Sequence, residues 1–145
     1  MHLLRHVHVP HPWQVNALDS SDHALTAARA ALEKHAEDVQ VIDVRGLSSV
    51  TDFFVICTAA SSRQVDALKE HIEAALAARG CSVWHTEGTM VSARSAPSGV
   101  GALQWILMDC GPVVVHLFDQ PTRDFYRLED LWADAPRIAL AAPAG

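Results

Sequence analysis

Two stretches of the chain are apolar at nearly every position: FFVIC at the start of Phe53–Ala59, and VVVHLF at Val113–Phe118. Neither alternates as a half-solvated strand would, so both are predicted to be strands covered on both faces. Around them the period changes to three and four. Leu25, Ala28, Ala31 and Leu32 define the inner stripe of a helix capped by Ser20 or Ser21 and running to about Ala36. Val65, Leu68, Ile72, Ala75 and Leu76 define a second, opened by the capping-box spacing Ser61-x-x-Gln64 and stopped at Gly80.

Val39–Val44 and Cys81–His85 read as further strands, and Leu103–Asp109 pairs with Val113–Phe118 as a hairpin across Cys110-Gly111-Pro112. Pro112 has no N–H for a ladder and belongs in the turn. The Gly, Ser and Thr residues of Arg45–Asp52 mark a turn between strands. Glu87–Ala102 carries small residues without a period and reads as a mobile loop. A last helix, Arg123–Trp132, would place Phe125, Leu128, Leu131 and Trp132 on one face, and Pro136 with the alanine-rich tail would end order. These elements predict an α+β fold: one domain over 20–134 with a mixed five-stranded sheet packed with helices, an extension at 1–19 and a flexible tail at 135–145. The second helix would cross between parallel neighbours with right-handed connection.

Composition narrows the possible roles. The chain has 145 residues, half of them hydrophobic, enough for one core. No run approaches the roughly 18 apolar residues of a membrane span, and the start is not a secretory leader, so the expected location is cytoplasmic with no membrane partner. Lys and Arg number 11 against 17 Asp and Glu, a formal charge of -6. Without a basic cluster, little direct nucleic acid binding is expected, because that affinity grows with the number of phosphates neutralised. A basic protein suits the charge better. Cys57, Cys81 and Cys110 are widely spaced in apolar surroundings and read as buried, reduced thiols.

The residues suggest three chemistries. Nucleotidyl transfer is suggested by the Gly46-Leu47-Ser48-Ser49 turn near Asp52. It requires paired carboxylates to hold a divalent metal against a triphosphate; no Asp-x-Asp or Asp-x-Glu occurs, and Ser48, Ser49 and Asp52 fit turn capping. A Cys57–His116 nucleophile pair needs spatial adjacency, and core positions explain both residues. His2, His6, His8 and His11 could hold zinc or nickel weakly, but a histidine-rich tail lacks a fixed site. Neither cofactor nor metal is therefore expected. Trp105, Tyr126 and Trp132 remain as large amphipathic side chains of the kind that anchor protein interfaces.

Asp43, Gly46, Ser48, Ser49, Thr51, Asp52, Val55, Ile56, Cys57, Ser61, Ser62, Arg63 and Val65 together resemble the signature of the ribosomal silencing factor family, also called Iojap-like proteins. Glu87-Gly88, Trp105-Ile106-Leu107-x-Asp109-x-Gly111, Val113–Phe118 with His116, and Arg123-x-Phe125-Tyr126-x-Leu128-Glu129-x-Leu131-Trp132 are similar to its remaining blocks, in order, over about 22 to 134. The resemblance implies a nucleotidyltransferase-like fold without catalytic carboxylates, and no enzyme. It implies binding to the large ribosomal subunit through its protein fourteen, blocking subunit joining and repressing translation when nutrients are scarce. Organellar members imply a role in large-subunit maturation.

Carried onto this chain, the resemblance implies a contact surface of Glu87, Trp105, Asp109, Tyr126, Glu129 and Trp132, with Trp105 as anchor. Two departures stand out. Thr89–Ala102 is longer than the family pattern, and Pro112 replaces the usual Asp after the turn glycine. Alternative readings are a homodimeric interaction module, a large-subunit assembly factor and, last, a nucleotidyltransferase-like enzyme.

Overall fold

A computed structural model describes residues 17–91 and 103–140. The elements run α1 (Ala17–Glu33), β1 (Glu37–Asp43), β2 (Phe53–Ala59), α2 (Ser62–Ala78), β3 (His85–Val91), β4 (Leu103–Asp109), β5 (Val113–Asp119), α3 (Gln120–Tyr126), α4 (Leu128–Leu131) and β6 (Arg137–Ile138). The fold is α+β, and the sheet is mixed, with six strands where five were expected, in the order β3-β4-β5-β2-β1-β6. Among the described strands only β2 and β5 pair in parallel; they form the centre, where the two apolar stretches lie side by side from Phe53↔Val113 to Ala59↔Asp119. Every residue of β2 except the half-buried Phe54 is buried, as is all of β5 up to Phe118. Continuous apolarity reported central position correctly.

Both long helices cover one face. α1 presents Ala24, Ala27, Ala28 and Ala31, all fully buried, instead of a leucine-bearing stripe. Small side chains let its backbone lie close to the sheet and α2. α1 begins before Ser20 and Ser21, so neither caps it; Ser20 is buried inside the helix and its Oγ donates to Asp52 Oδ2 at 2.7 Å. α2 follows its prediction: Ser61 Oγ accepts from Gln64 N at 3.1 Å, and Val65, Leu68, Ile72 and Leu76 are buried. Gln64 also donates to the carbonyls of Lys34 and His35, both at 3.0 Å, joining the start of α2 to the end of α1. Gly80, at φ +81°, ends the helix with paired bonds from Gly80 N to Ala77 O and Cys81 N to Leu76 O.

α2 does not lead to a parallel neighbour. It delivers the chain to β3 at the far edge, and β4 and β5 return by antiparallel steps. The third strand starts at His85, not Cys81, so Glu87 lies in a strand paired opposite Leu107 instead of in a loop. The rest of the predicted loop, 92–102, lies outside the described residues, as do 1–16 with their histidines and 141–145. Pro112 occupies the β4–β5 turn, and its carbonyl accepts from both Asp52 N and Phe53 N at 3.1 Å.

The predicted helix over Arg123–Trp132 is broken. Arg127 adopts a left-handed conformation, φ 50° and ψ 51°, and separates α3 from α4. Its expected apolar stripe splits: Leu128 and Trp132 pack on the second sheet face, whereas Phe125 and Leu131 are exposed. Nor does order end at Pro136. The Pro136 carbonyl accepts from Asp43 N at 2.9 Å, and β6 pairs with β1 through Val41↔Ile138 and Ile42↔Arg137. A two-residue strand carries no period to read.

Arg123, only 3 % exposed, ties these short pieces to the sheet. Its Nε donates to Glu129 Oε2 at 2.7 Å, and Nη1 donates to Asp38 O at 2.7 Å and Thr58 Oγ1 at 2.8 Å. Its Nη2 lies 3.2 Å from Asp38 Oδ2, close enough for an ion pair although not aligned as a hydrogen bond. Removing one partner of a buried ionic group leaves the others uncompensated. Arg123→Ala should therefore cost about 3 kcal/mol in urea unfolding, and a loss below about 1 kcal/mol would show that water replaces the guanidinium freely.

Candidate functional site

Register places the predicted contacts that lie in strands, Glu87, Trp105 and Asp109, on one side of the sheet. Cross-strand partners share a face, so the pairs His85↔Asp109, Glu87↔Leu107, Trp105↔Phe118, Leu107↔His116 and Ile56↔His116 define a common surface opposite α1 and α2. Over β5, β2 and β1 this face is roofed by Leu128, Trp132 and Ala135. Toward β3 and β4 it is open: Glu87 is exposed, and Leu107 and Asp109 are half-buried. Trp105 stands at the step between the two halves.

The Trp105 ring centroid lies 5.0 Å from that of Phe118, 5.8 Å from His116 and 5.1 Å from Tyr126. Phe54 links His116, at 5.0 Å, to Trp132, at 5.2 Å, both edge-on. Such offset and T-shaped contacts suit the ring quadrupoles. Trp105 Nε1 donates to His116 Nδ1 at 3.1 Å. Because an indole N–H can only donate, the imidazole accepts at Nδ1 and carries its proton on Nε2, which is buried without a hydrogen-bond partner among the described residues. Burial pushes the His116 pKa down to about 4.

Of the remaining predicted contacts, Tyr126 is exposed and stacks edge-on with the exposed Phe125 at 5.0 Å. Trp132 is half-buried against Phe54. Asp109 Oδ1 accepts from Gly111 N at 2.8 Å, shaping the turn where Gly111 has φ +91°. Glu129 is the least available: Oε2 is held by Arg123, and Oε1 is buried without a hydrogen-bond partner among the described residues. Glu87 Oε1 lies 3.2 Å from His85 Nε2.

Several features escaped sequence reasoning. An open cleft of about 460 Å³ is lined by Asp38, Gln120, Arg123, Asp124, Arg127, Glu129 and Asp130, with four carboxylates against two guanidiniums. Arg137 donates to the carbonyls of Trp132 and Ala135 at 2.8 and 2.9 Å and to that of Glu129 at 3.0 Å, capping the end of α4. Leu131, Trp84 and Val50 are at least 70 % exposed. Lone exposed apolar residues outside a periodic stripe leave no mark in the pattern, and the cleft is assembled from β1, α3 and α4.

The groups these three chemistries require do not come together among the described residues. Cys57 lies on the helix-covered face and His116 on the other, since Cys57 pairs with Leu117 and His116 with Ile56. Burial also pushes the Cys57 thiol up to about 12. Ser48 Oγ accepts from Val50 N at 3.1 Å within its turn, and Asp52 accepts from Ser20. No group of three His, Cys, Asp or Glu side chains suited to a metal occurs among the described residues, where no helix is long and apolar enough to cross a membrane.

Fold and face together define a single-domain α+β protein whose distinctive chemistry is one aromatic and acidic surface. The family model for the ribosomal silencing factor during starvation matches residues 17–144, and the chain belongs to that family. It is 38 % identical over 110 residues to the ribosomal silencing factor of Bacillus subtilis, covering 76 % of this chain and 84 % of that one. A mouse protein named for mitochondrial assembly of the ribosomal large subunit is 31 % identical over 104 residues, 69 % of this chain and 40 % of the mouse protein. A crystal structure of a Chromobacterium violaceum protein superposes with a TM-score of 0.65 at 26 % identity, covering 90 % of this chain and 96 % of that one.

The buried imidazole predicts acid sensitivity. With a folded pKa of about 4 against an ordinary 6.5, the unfolded chain binds the proton first as pH falls. The contribution is complete above pH 6.5 and is lost as pH falls from there toward 4. Between pH 7 and 5 it should amount to about 2 kcal/mol. Urea unfolding at both pH values should show that loss in the parent, with His116→Phe less stable overall but flatter by that amount; equal pH slopes would contradict it.

Proposed function

We propose that the protein is a cytoplasmic ribosomal silencing factor that binds the large subunit through its protein fourteen and sterically prevents small-subunit joining, repressing translation under nutrient limitation. The supporting observation is the step at Trp105, where stacked aromatic rings meet an uncovered half-sheet bearing Glu87 and Asp109. Exposed Tyr126, Phe125 and Leu131 border the aromatic side of this step or lie on the neighbouring short helix. Aromatic anchors beside acidic groups suit a basic protein surface: the rings supply buried area and the carboxylates speed encounter. Membership of the silencing factor family supports the same reading, and the action requires only exclusive occupation of a surface, with no bond chemistry.

Large-subunit assembly is a second reading, favoured by the mouse relative's name. The two diverge in what the protein does to mature particles. Sedimentation with separated subunits should show pelleting with the large subunit alone and a fall in reassociated ribosomes. An assembly factor without silencing activity would leave reassociation unchanged, and pelleting with neither subunit would sink both readings.

Within that assay Trp105→Ala should weaken binding by at least about 2 kcal/mol. Because Trp105 also packs against Phe118 and His116, a surface variant provides the control. Tyr126→Ala should weaken binding about tenfold or more while leaving the unfolding midpoint essentially unchanged. Parent-like pelleting by both folded variants would remove this face from the interface.

A further inference from the structure

Cys81 and Cys110 are buried, at 6 % and 5 % exposed, and come from separate parts of the chain: the exit of α2 and the β4–β5 turn. Cys81 Sγ lies 3.6 Å from the Cys110 carbonyl oxygen, while Cys110 Sγ lies 3.2 Å from Val113 O. Both belong to the core on the helix-covered face. We propose that Cys81 and Cys110 form a dithiol that closes to an intramolecular disulfide on exposure to a hydroperoxide, an oxidation site distinct from the aromatic face.

The chemistry divides between the two sulfurs. Each thiol donates to a carbonyl, Cys81 to that of Cys110 and Cys110 to that of Val113, and the nearness of the two side chains lowers the Cys81 pKa and, with burial, raises that of Cys110, making Cys81 the attacking sulfur. The Cys81 thiolate attacks one peroxide oxygen, the O–O bond breaks, and the departing oxygen leaves as water or alcohol after taking a proton. Cys110 then attacks the resulting sulfenic sulfur; its proton and the sulfenic oxygen depart as water. Two thiols are oxidised and one peroxide bond is reduced. Cys81 adjoins Gly80 and exposed Ser82, so it lies at the edge of the core, whereas Cys57 is fully buried in the central strand.

Closure would link the two ends of the segment carrying β3 and β4, whichever partner the neighbouring face binds. The test uses the folded full chain and hydrogen peroxide, followed by alkylation under denaturing conditions, non-reducing trypsin digestion and mass spectrometry. The expected product is a monomer about 2 Da lighter after closure, with peptide Gly80–Arg94 joined to Ser95–Arg123 and Cys57 still alkylated. Cys81 should disappear at least about tenfold faster than Cys57. Cys57→Ser should retain the cross-link and Cys81→Ser should lose it. Full alkylation of Cys81 and Cys110 after peroxide, their recovery as sulfinic acids, or a link only between chains would overturn the proposal.

Discussion

The Arg123 guanidinium is the interaction on which the second face of the sheet depends. α1 and α2 cover the first face with 17 residues each, long enough for periodic apolar contacts to hold them. α3 and α4, with seven and four residues, are too short to be held by helix propensity alone. Arg123 joins them to Thr58 on β2, the Asp38 carbonyl in β1 and Glu129 in α4. Asp38 itself has φ 47°, and the β1–β2 register shifts between Glu37 and Gln40. That local departure from extended backbone accompanies the turning of a carbonyl toward the cation, as bulges do where they re-aim groups.

A roof fixed this way leaves the sheet asymmetric. One half of its second face is closed over Phe54, Ile56 and Ile42, and the other half stays open over β3 and β4. Trp105 belongs to both. Its ring is stacked among Phe118, Tyr126 and His116, and its indole N–H is satisfied inside the protein by His116 Nδ1. The buried histidine thus does for the anchor what water would do at an open site, at the cost of an imidazole kept neutral by burial.

The central fold was legible because its signals were strong and local. Continuous apolarity in Phe53–Ala59 and Val113–Phe118 marked the parallel centre, and Ser61 with Gln64 marked the start of α2 through a cap seen in atomic detail. Failures occurred where tertiary contacts outweighed local pattern. β3 slides to His85–Val91 because its register is set by β4, through Glu87↔Leu107 and Thr89↔Trp105, instead of by its own weak alternation. The break at Arg127 rests on a left-handed residue that is not glycine, which sequence rules would not select. β6 is two residues long and exists through pairing with β1. For the candidate face, residue types pointed to Trp105, Tyr126 and Trp132 and the family resemblance added the acids, but neither could distinguish an available carboxylate from the one on Glu129 that Arg123 already holds.

That distinction changes how the face should recognise a partner. Glu129 is part of the support, so in the interface proposed above charge attraction would fall to the exposed Glu87 and act chiefly during approach. Affinity in that proposed interface would fall to the aromatic step, where packing has already restricted the rings and little side-chain freedom remains to be lost on contact. By holding α3 and α4 down, Arg123 keeps Tyr126 beside Trp105, and it would serve the proposed interface without touching the partner. The shape of the face is therefore set by the same ionic contact that closes the second core.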